Sequence, residues 1–149
     1  MFTQPSNILL LSIKPQYADQ IFAGTKQVEL RRVRTRLQAG DLVLIYVSSP
    51  ERALVGSFEV EKMLVEDLPK NLNTFWHKVK EKAAVDRKIF DNYYQGASVG
   101  VGIFCKNIQR FRKPIHLDTL RKKKPHIIPP QCYRYLTHGE LIWVKSMTQ

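Results

Sequence analysis

The chain has few cysteines and no long apolar segment. Its two cysteines, Cys105 and Cys132, stand far apart, without the close pairing that is typical of zinc sites and redox dithiols. The apolar run near the N-terminus extends only from Ile8 to Leu11, and nowhere do about 18 apolar residues follow one another. The sequence therefore implies no metal or redox cofactor and no membrane-spanning segment, and by default a cytoplasmic location.

Acidic residues are also scarce. The chain has 13 Asp and Glu against 24 Lys and Arg, which gives a formal net charge of +11. An excess of this size favours polyanionic partners, nucleic acid first and an anionic membrane surface second, although solubility alone also accounts for it. The four histidines show no ligand spacing, so no role is assigned to them.

What remains is the composition of an ordinary globular protein. Of the 149 residues, 44% are hydrophobic and 25% are charged. A chain of about 150 residues buries roughly 70% of its unfolded surface, which is enough for a substantial core. We expect one domain over residues 1–149, because no second domain, repeat or low-complexity segment is visible.

The apolar pattern predicts strands interleaved with short helices. Continuous apolar runs at 8–13 and 42–47 are typical of buried strands, and residues 15–23 form a helical face that Gly24 ends. The other predicted strands cover 26–32, 53–63, 97–111 and 141–144, and the other predicted helices cover 69–84 and 87–96. The predicted exposed basic loops are 112–114 and 121–125.

Two details of these strands concern packing. In 53–63, alternation turns a set that includes Leu54 and Phe58 towards the core. Gly100 and Gly102 lie on one face of their strand, where a backbone or a ligand must approach closely. Because the strands show no βαβ periodicity, we predict an α+β fold with a small mixed sheet that curls into a barrel.

The most highly charged short stretch is 24–32, at a predicted junction between a turn and a strand. Alternation in this strand turns Val28 and Leu30 towards the core and puts Glu29 and Arg31 on the opposite face. A concentration of charge at such a junction indicates a binding site. The alternative is that Glu29 and Arg31 form a structural ion pair.

Lys26 has the parity of the core-facing residues. It joins Glu29 and Arg31 only if the turn or a bulge swings its side chain round. The alternative is a solvated turn residue with no role.

This stretch resembles a known family signature. The pattern Gly24-x-Lys26-x-x-Glu29-x-Arg31 matches the G-x-K-x-x-E-x-R signature of ASCH domains. Further matches follow in the expected order over nearly the whole chain: Leu11-Ser12-Ile13-Lys14-Pro15-x-Tyr17-Ala18, Tyr46-x-Ser48-Ser49-Pro50 and Pro130-Gln131-x-Tyr133-x-Tyr135-Leu136. Within the family, the chain looks most like the stand-alone proteins labelled predicted transcriptional regulators.

The resemblance implies a PUA-like β-barrel with flanking short helices, related to RNA-binding domains. It also implies a cleft beside the barrel, lined at the positions of Lys26, Glu29 and Arg31. Lys14, Ser48 and Ser49 are then expected near the mouth of this cleft.

These residue types suit a nucleotide. Lys26, Arg31 and Arg32 can hold a phosphate, and Glu29 can accept a hydrogen bond from the exocyclic amine of a base. The aromatic residues considered for base stacking are Tyr46, Trp76, Tyr94 and Tyr133. For Trp76, Tyr93 and Tyr94, the helical spacing favours core packing instead, and the run 121–124 more often forms a solvated loop than a groove binder.

Three classes of function remain. A non-catalytic binder of RNA, modified DNA or a nucleotide, with a regulatory role, is favoured, and no membrane partner is expected. The alternative is an enzyme with Lys26 and Glu29 as catalytic residues, either a ribonuclease or an amidohydrolase of N4-acetylcytidine. The amidohydrolase is disfavoured, because such ASCH proteins have a threonine where this chain has Glu29. The third class is a protein-interaction subunit with a basic surface.

Overall fold

The computed structural model describes residues 4–123 and 133–148, which form a six-stranded sheet and five helices. The strands are β1 (Ile8–Ile13), β2 (Val28–Arg31), β3 (Leu42–Val47), β4 (Ala53–Asp67), β5 (Val99–His116) and β6 (Tyr133–Leu136). The helices are α1 (Pro15–Ala23), α2 (Leu72–Val79), α3 (Arg87–Tyr94), α4 (Leu117–Lys123) and α5 (His138–Met147). None of the described helices is long and apolar enough to cross a membrane.

Three elements near the N-terminus have the bounds that the sequence predicts. β1 and β3 coincide with the two continuous apolar runs. α1 begins at Pro15, a residue that suits the first turn of a helix. Gly24 ends α1 with a φ of 83°, a left-handed conformation that glycine adopts without the strain of a side chain. The sharp helix exit therefore follows from local sequence.

Predictions for the C-terminal part are wrong in three places. Residues 112–114 extend β5 instead of forming a loop, and 121–123 belong to α4. The apolar run 141–144, predicted as a strand, lies within α5. Thr137 and Glu140 form a capping box there: each side chain accepts a hydrogen bond of 3.0 Å from the backbone nitrogen of the other. A short apolar run does not distinguish a strand from a helix, and here the capping box favours the helix.

The strand order in the sheet is β2-β5-β4-β3-β1-β6. β1 and β3 run parallel, whereas the other neighbours are antiparallel. The α+β, mixed-sheet part of the prediction is confirmed. In the described residues, however, β2 and β6 are edges, so hydrogen bonding does not close the sheet into the predicted barrel.

Side chains nevertheless connect the two ends of the sheet. An Arg31 guanidinium nitrogen in β2 donates to the carbonyl oxygen of Ser12 in β1 at 2.8 Å. Beyond β2, the backbone nitrogen of Arg36 donates to the hydroxyl of Tyr135 in β6 at 2.7 Å. The sheet therefore curls until its two edges approach each other.

The first half of β4 is buried on both faces, which simple alternation does not predict. Val55 and Phe58 pack in one core cluster, whereas Leu54 packs in another cluster against α5. The register between β4 and β5 shifts between Leu54 and Gly56 and again between Ser57 and Glu59. Such bulges change which face a residue occupies, so the prediction that Leu54 and Phe58 share one face is wrong.

Gly100 and Gly102 have close neighbours, as predicted, but neither a backbone nor a ligand is the group that approaches them. A Cβ at Gly100 would overlap the ring of Phe75 from α2, and one at Gly102 would lie 3.3 Å from the Val28 side chain. The neighbours are core side chains, and this packing holds α2 and β2 against β5.

Candidate functional site

A cavity of about 450 Å³ opens where β1, β2 and β3 meet α1 and α3. Its polar lining comes from residues that are distant in sequence: Ser12, Lys14, Lys26, Glu29, Arg31 and Ser48. We call it the Lys26 cavity. Its size is in the range of small-molecule sites.

Lys26 reaches the cavity because it precedes β2. The backbone nitrogens of Thr25 and Lys26 both donate to the carbonyl oxygen of Gln20, which continues the turn after Gly24. Strand parity therefore does not apply to Lys26. Its ammonium donates to the carbonyl oxygen of Ala83 at 2.6 Å, and the residue is only 3% exposed. The interpretation of Lys26 as a solvated turn residue is wrong.

Burial changes the ionisation of Lys26. Loss of hydration lowers the pKa of its ammonium below the ordinary value of 10.5, and the nearby Glu29 carboxylate partly opposes this. The Tyr17 ring centre lies 5.1 Å from the ammonium and adds a cation–π contact. Lys26 is thus a cation held in a cavity that disfavours its charge.

Glu29 and Arg31 form an ion pair along β2. A carboxylate oxygen of Glu29 lies 2.7 Å from a guanidinium nitrogen of Arg31, and both side chains are largely buried. Since Arg31 also donates to Ser12, it fixes the carboxylate relative to β1. The structural ion pair expected as an alternative is present, and it lies in the wall of the cavity next to Lys26.

An apolar wall faces these charged groups. It consists of Tyr17 from α1, Leu30 from β2, Val85 before α3, and Ile89, Phe90 and Tyr93 from α3. Ile89 and Tyr93 lie one helical turn apart and are 48% and 40% exposed, which is high for large apolar side chains. These residues were not predicted as site residues. The sequence shows only the one-turn spacing of Ile89 and Tyr93, and that spacing does not reveal that α3 packs beside β2.

Helix α3 is also tied to the site through hydrogen bonds. The Tyr93 hydroxyl donates to the carbonyl oxygen of Leu30 at 3.2 Å, and the Tyr94 hydroxyl donates to that of Arg31 at 2.9 Å. These bonds satisfy part of the edge of β2. Trp76 and Tyr94 pack with Phe90 in a core cluster, in agreement with the packing interpretation.

The remaining candidate residues lie at different distances from the cavity. Exposed Lys14 and half-buried Ser48 line it, whereas exposed Ser49 is not among the lining residues. Arg32 is exposed outside it and donates to the carbonyl oxygen of Gln95 at 3.2 Å. Two further candidates also lie elsewhere: Tyr46 is buried in the core next to α5, and half-buried Tyr133 in β6 packs against Tyr135.

No group of three or more His, Cys, Asp and Glu side chains that could hold a metal ion is found in residues 4–123 and 133–148. Cys105 is buried behind the site, and burial raises the pKa of its thiol. Cys132 and the predicted basic residue Lys124 lie outside the described residues.

Replacing Lys26 with Met gives a test of its burial. The unfolded chain binds a proton at Lys26 up to a higher pH than the folded chain, so the free energy of unfolding rises with pH between the two pKa values. We therefore expect the wild type to gain stability relative to Lys26→Met as the pH rises towards about 10, the ordinary pKa of lysine. Urea unfolding of both proteins measures this, because the titrations of groups away from Lys26 cancel in the comparison. A difference that shrinks with pH would contradict the expected sign.

Comparison with known proteins places the chain in a family. The model of the ASCH domain matches residues 11–115. A curated relative from Zymomonas mobilis, named ASCH domain-containing ribonuclease, is 26% identical over 139 residues, which cover 93% of this chain and 90% of the relative.

Solved structures agree with this result. The crystal structure of ASCH from Zymomonas mobilis superposes with a TM-score of 0.85 at 25% identity, covering 95% of this chain and 96% of that one. The N-terminal domain of Staphylothermus marinus McrB shares the fold at 10% identity, with a TM-score of 0.61 over 93% of each chain. By the match over residues 11–115, with these signature residues gathered at one cavity, this chain belongs to the ASCH domain family.

Proposed function

We propose that this protein binds single-stranded RNA and takes one nucleotide of it into the Lys26 cavity. The observation that carries the proposal is the convergence of an ammonium, a carboxylate and a guanidinium in a cavity of about 450 Å³ with an apolar wall. The name of the Zymomonas relative, a ribonuclease that this chain matches over most of its length, supports RNA as the partner.

The arrangement of charge favours one orientation of the nucleotide. Deep in the cavity, Glu29 offers an acceptor for an exocyclic amine such as cytosine N4, and Tyr17 and Tyr93 offer aromatic surface for the base. The ammonium of Lys26 already donates to Ala83, and Arg31 is held by Glu29. Exposed Lys14 at the mouth is therefore better suited to the phosphate, so the base enters first.

An unpaired strand is required for this mode of binding. A base inside a duplex presents only its edges, whereas a cavity walled on several sides must receive an entire base. Single-stranded segments expose bases that can leave the stack at little cost. The proposal therefore predicts a preference for single-stranded over double-stranded RNA of the same sequence.

A binding titration tests the proposal. We expect a short oligocytidylate to bind the wild type, with affinity falling steeply as salt rises, since phosphate contacts release counterions. Lys26→Met should weaken this binding at least about tenfold, because it removes the buried ammonium that holds the segment before β2 to Ala83 and balances the charge of Glu29, the proposed acceptor for the base. Lys106→Met, a lysine on the surface of β5, serves as the control of equal charge. Binding that is absent, or insensitive to salt and to Lys26, would contradict the proposal.

Phosphodiester cleavage is the second candidate function, and the name of the Zymomonas relative specifically favours it. This mechanism requires the opposite orientation of the nucleotide, with ribose and phosphate deep in the cavity. Glu29 removes the proton from a ribose 2′-hydroxyl, and the oxygen attacks the adjacent phosphorus. The bond from phosphorus to the 5′-oxygen of the next nucleotide breaks, and this oxygen takes a proton from water. The products are a 2′,3′-cyclic phosphate and a new 5′-hydroxyl end. Lys26 stabilises the negative charge that develops on the phosphate oxygens.

A further inference from the structure

The loop that follows β2 carries three exposed arginines, Arg32, Arg34 and Arg36. It starts at the Lys26 cavity, since the preceding residue Arg31 lines that cavity. It ends beside β6, where it contacts Tyr135. The loop thus crosses the gap between the two edges of the sheet. We call residues 32–36 the arginine loop.

Backbone contacts hold the arginine loop in place. The backbone nitrogen of Arg36 donates to the Tyr135 hydroxyl at 2.7 Å, and its carbonyl oxygen accepts from the Asn7 side chain at 3.0 Å. The hydroxyl of Tyr133 lies 3.5 Å from the carbonyl oxygen of Arg34. Because these contacts use the main chain, they order the loop and leave its guanidinium groups on the surface.

The three side chains are only lightly engaged. The Arg36 guanidinium lies 4.0 Å from the ring centre of Tyr135, a stacking contact that leaves its donors available. Arg34 lies 3.5 Å from Asp67, but the two side chains are 64% and 76% exposed, so this ion pair is weak. The Arg32 guanidinium donates one hydrogen bond, to the carbonyl oxygen of Gln95 at 3.2 Å, and lies 6.0 Å from the ring centre of Tyr93 at the rim of the cavity.

We infer that the arginine loop binds the phosphates of the nucleotides that flank the one in the Lys26 cavity. The inference rests on the proposed function and extends it from one nucleotide to a strand of several. Arginine forms bidentate hydrogen bonds with phosphate, and a loop that is already ordered loses little conformational entropy on binding. The Tyr93 contact of Arg32 makes the path continuous from the cavity to β6.

A second basic surface provides a matched control. A groove of about 880 Å³ between β5 and α5 has Arg110 and Arg112 on its rim. The Arg110 guanidinium lies 4.2 Å from the ring centre of Phe22, so this arginine is also stacked on an aromatic ring. This groove lies apart from the Lys26 cavity, because the two share no lining residue. Replacing its two arginines changes the net charge equally without touching the arginine loop.

The experiment compares two ligands, cytidine monophosphate and an oligocytidylate of about ten nucleotides, a length within the range of single-strand sites. We expect the wild type to bind the oligocytidylate more tightly. The double variant Arg34→Gln/Arg36→Gln should bind cytidine monophosphate like the wild type but lose affinity for the oligocytidylate. Arg110→Gln/Arg112→Gln should bind both ligands like the wild type. Circular dichroism confirms that each variant is folded.

Salt dependence gives a quantitative readout. Each neutralised phosphate of a single strand adds about 0.7 to the slope of log affinity against log salt, so losing two contacts should lower the slope by about 1.4. The ratio of the oligocytidylate affinity of the wild type to that of Arg34→Gln/Arg36→Gln should then fall about sevenfold between about 50 mM and about 200 mM salt.

Two results would overturn the inference and leave the proposed function intact: equal binding of the two ligands by the wild type, or an unchanged oligocytidylate affinity and salt slope in Arg34→Gln/Arg36→Gln. If only Arg110→Gln/Arg112→Gln lost affinity, the RNA strand would bind in the groove between β5 and α5. This result would also overturn the inference. Failure of the wild type to bind either ligand would overturn both the inference and the proposed function.

Discussion

Glu29→Gln is expected to lower the rate of RNA cleavage by about 10² to 10⁴ if the cavity is catalytic, the usual contribution of a general base. The amide keeps the shape of the side chain and still accepts a hydrogen bond from Arg31, but it does not take up a proton. Single-turnover cleavage of an end-labelled single-stranded RNA measures the effect. The comparison with wild type is made at equal occupancy, so that a change in binding does not imitate a change in rate.

The control is Glu59→Gln in β4, which removes the same charge outside the Lys26 cavity, where Glu59 pairs with Lys106 at 3.6 Å. This variant should cleave like the wild type. Glu29→Gln should also lose about 1 to 3 kcal/mol of stability, because the charge-assisted hydrogen bond from Arg31 becomes a weaker one and buried Lys26 loses a nearby carboxylate. Cleavage that persists in Glu29→Gln would exclude this cavity as the catalytic site, and a wild type without cleavage would contradict the second candidate function.

Gly56→Ala is expected to destabilise the fold by about 3 kcal/mol or more, at the upper end of the cost of overpacking a core. A Cβ at this position would overlap the backbone carbonyl oxygen of Gln109 in β5 and the ring of Phe22 in α1. A side chain can rotate away, but the carbonyl belongs to the neighbouring strand, so relief requires β4 and β5 to separate. Urea unfolding of the variant and the wild type measures the difference.

Gly139→Ala in α5 is the matched control for this change. The nearest atom to its new Cβ is the Thr137 hydroxyl oxygen at 3.7 Å, an ordinary contact. Because alanine favours a helix more than glycine does, this variant should gain about 0.5 to 1 kcal/mol. Equal stabilities for Gly56→Ala and the wild type would show that β4 and β5 are not packed as tightly as described.

Much of the N-terminal half could be predicted because its signals are local. The apolar runs of β1 and β3, the proline that starts α1 and the glycine that ends it each determine structure within a few residues. The C-terminal errors have the opposite cause. The run 141–144 is too short to show a period. Residues 112–114 lie between Arg110 and Ile115, which both pair with β4, so a partner far away in sequence keeps β5 going on both sides of them.

The site was predictable to the extent that it lies on one segment. Glu29 and Arg31 lie in β2, and their neighbours Val28 and Leu30 alternate with them, although Leu30 also reaches the cavity wall. Tyr17, Ile89 and Tyr93 were missed because they come from helices whose approach to β2 depends on packing. Tyr46 matches a position of the family pattern, but its side chain is buried in the cluster that packs against α5, away from the Lys26 cavity.

The sequence by itself determined the family, the charged segment 24–32 and the helix exit at Gly24, since these depend on residue identity and local backbone geometry. Only the tertiary structure decided that Lys26 is buried with a lowered pKa, because its partner Ala83 lies 57 residues away. It also decided that the curled sheet brings Arg31 to Ser12 and leaves a cavity beside them. Contacts between distant segments arise when separate apolar faces pack together, and no periodicity within one segment specifies them.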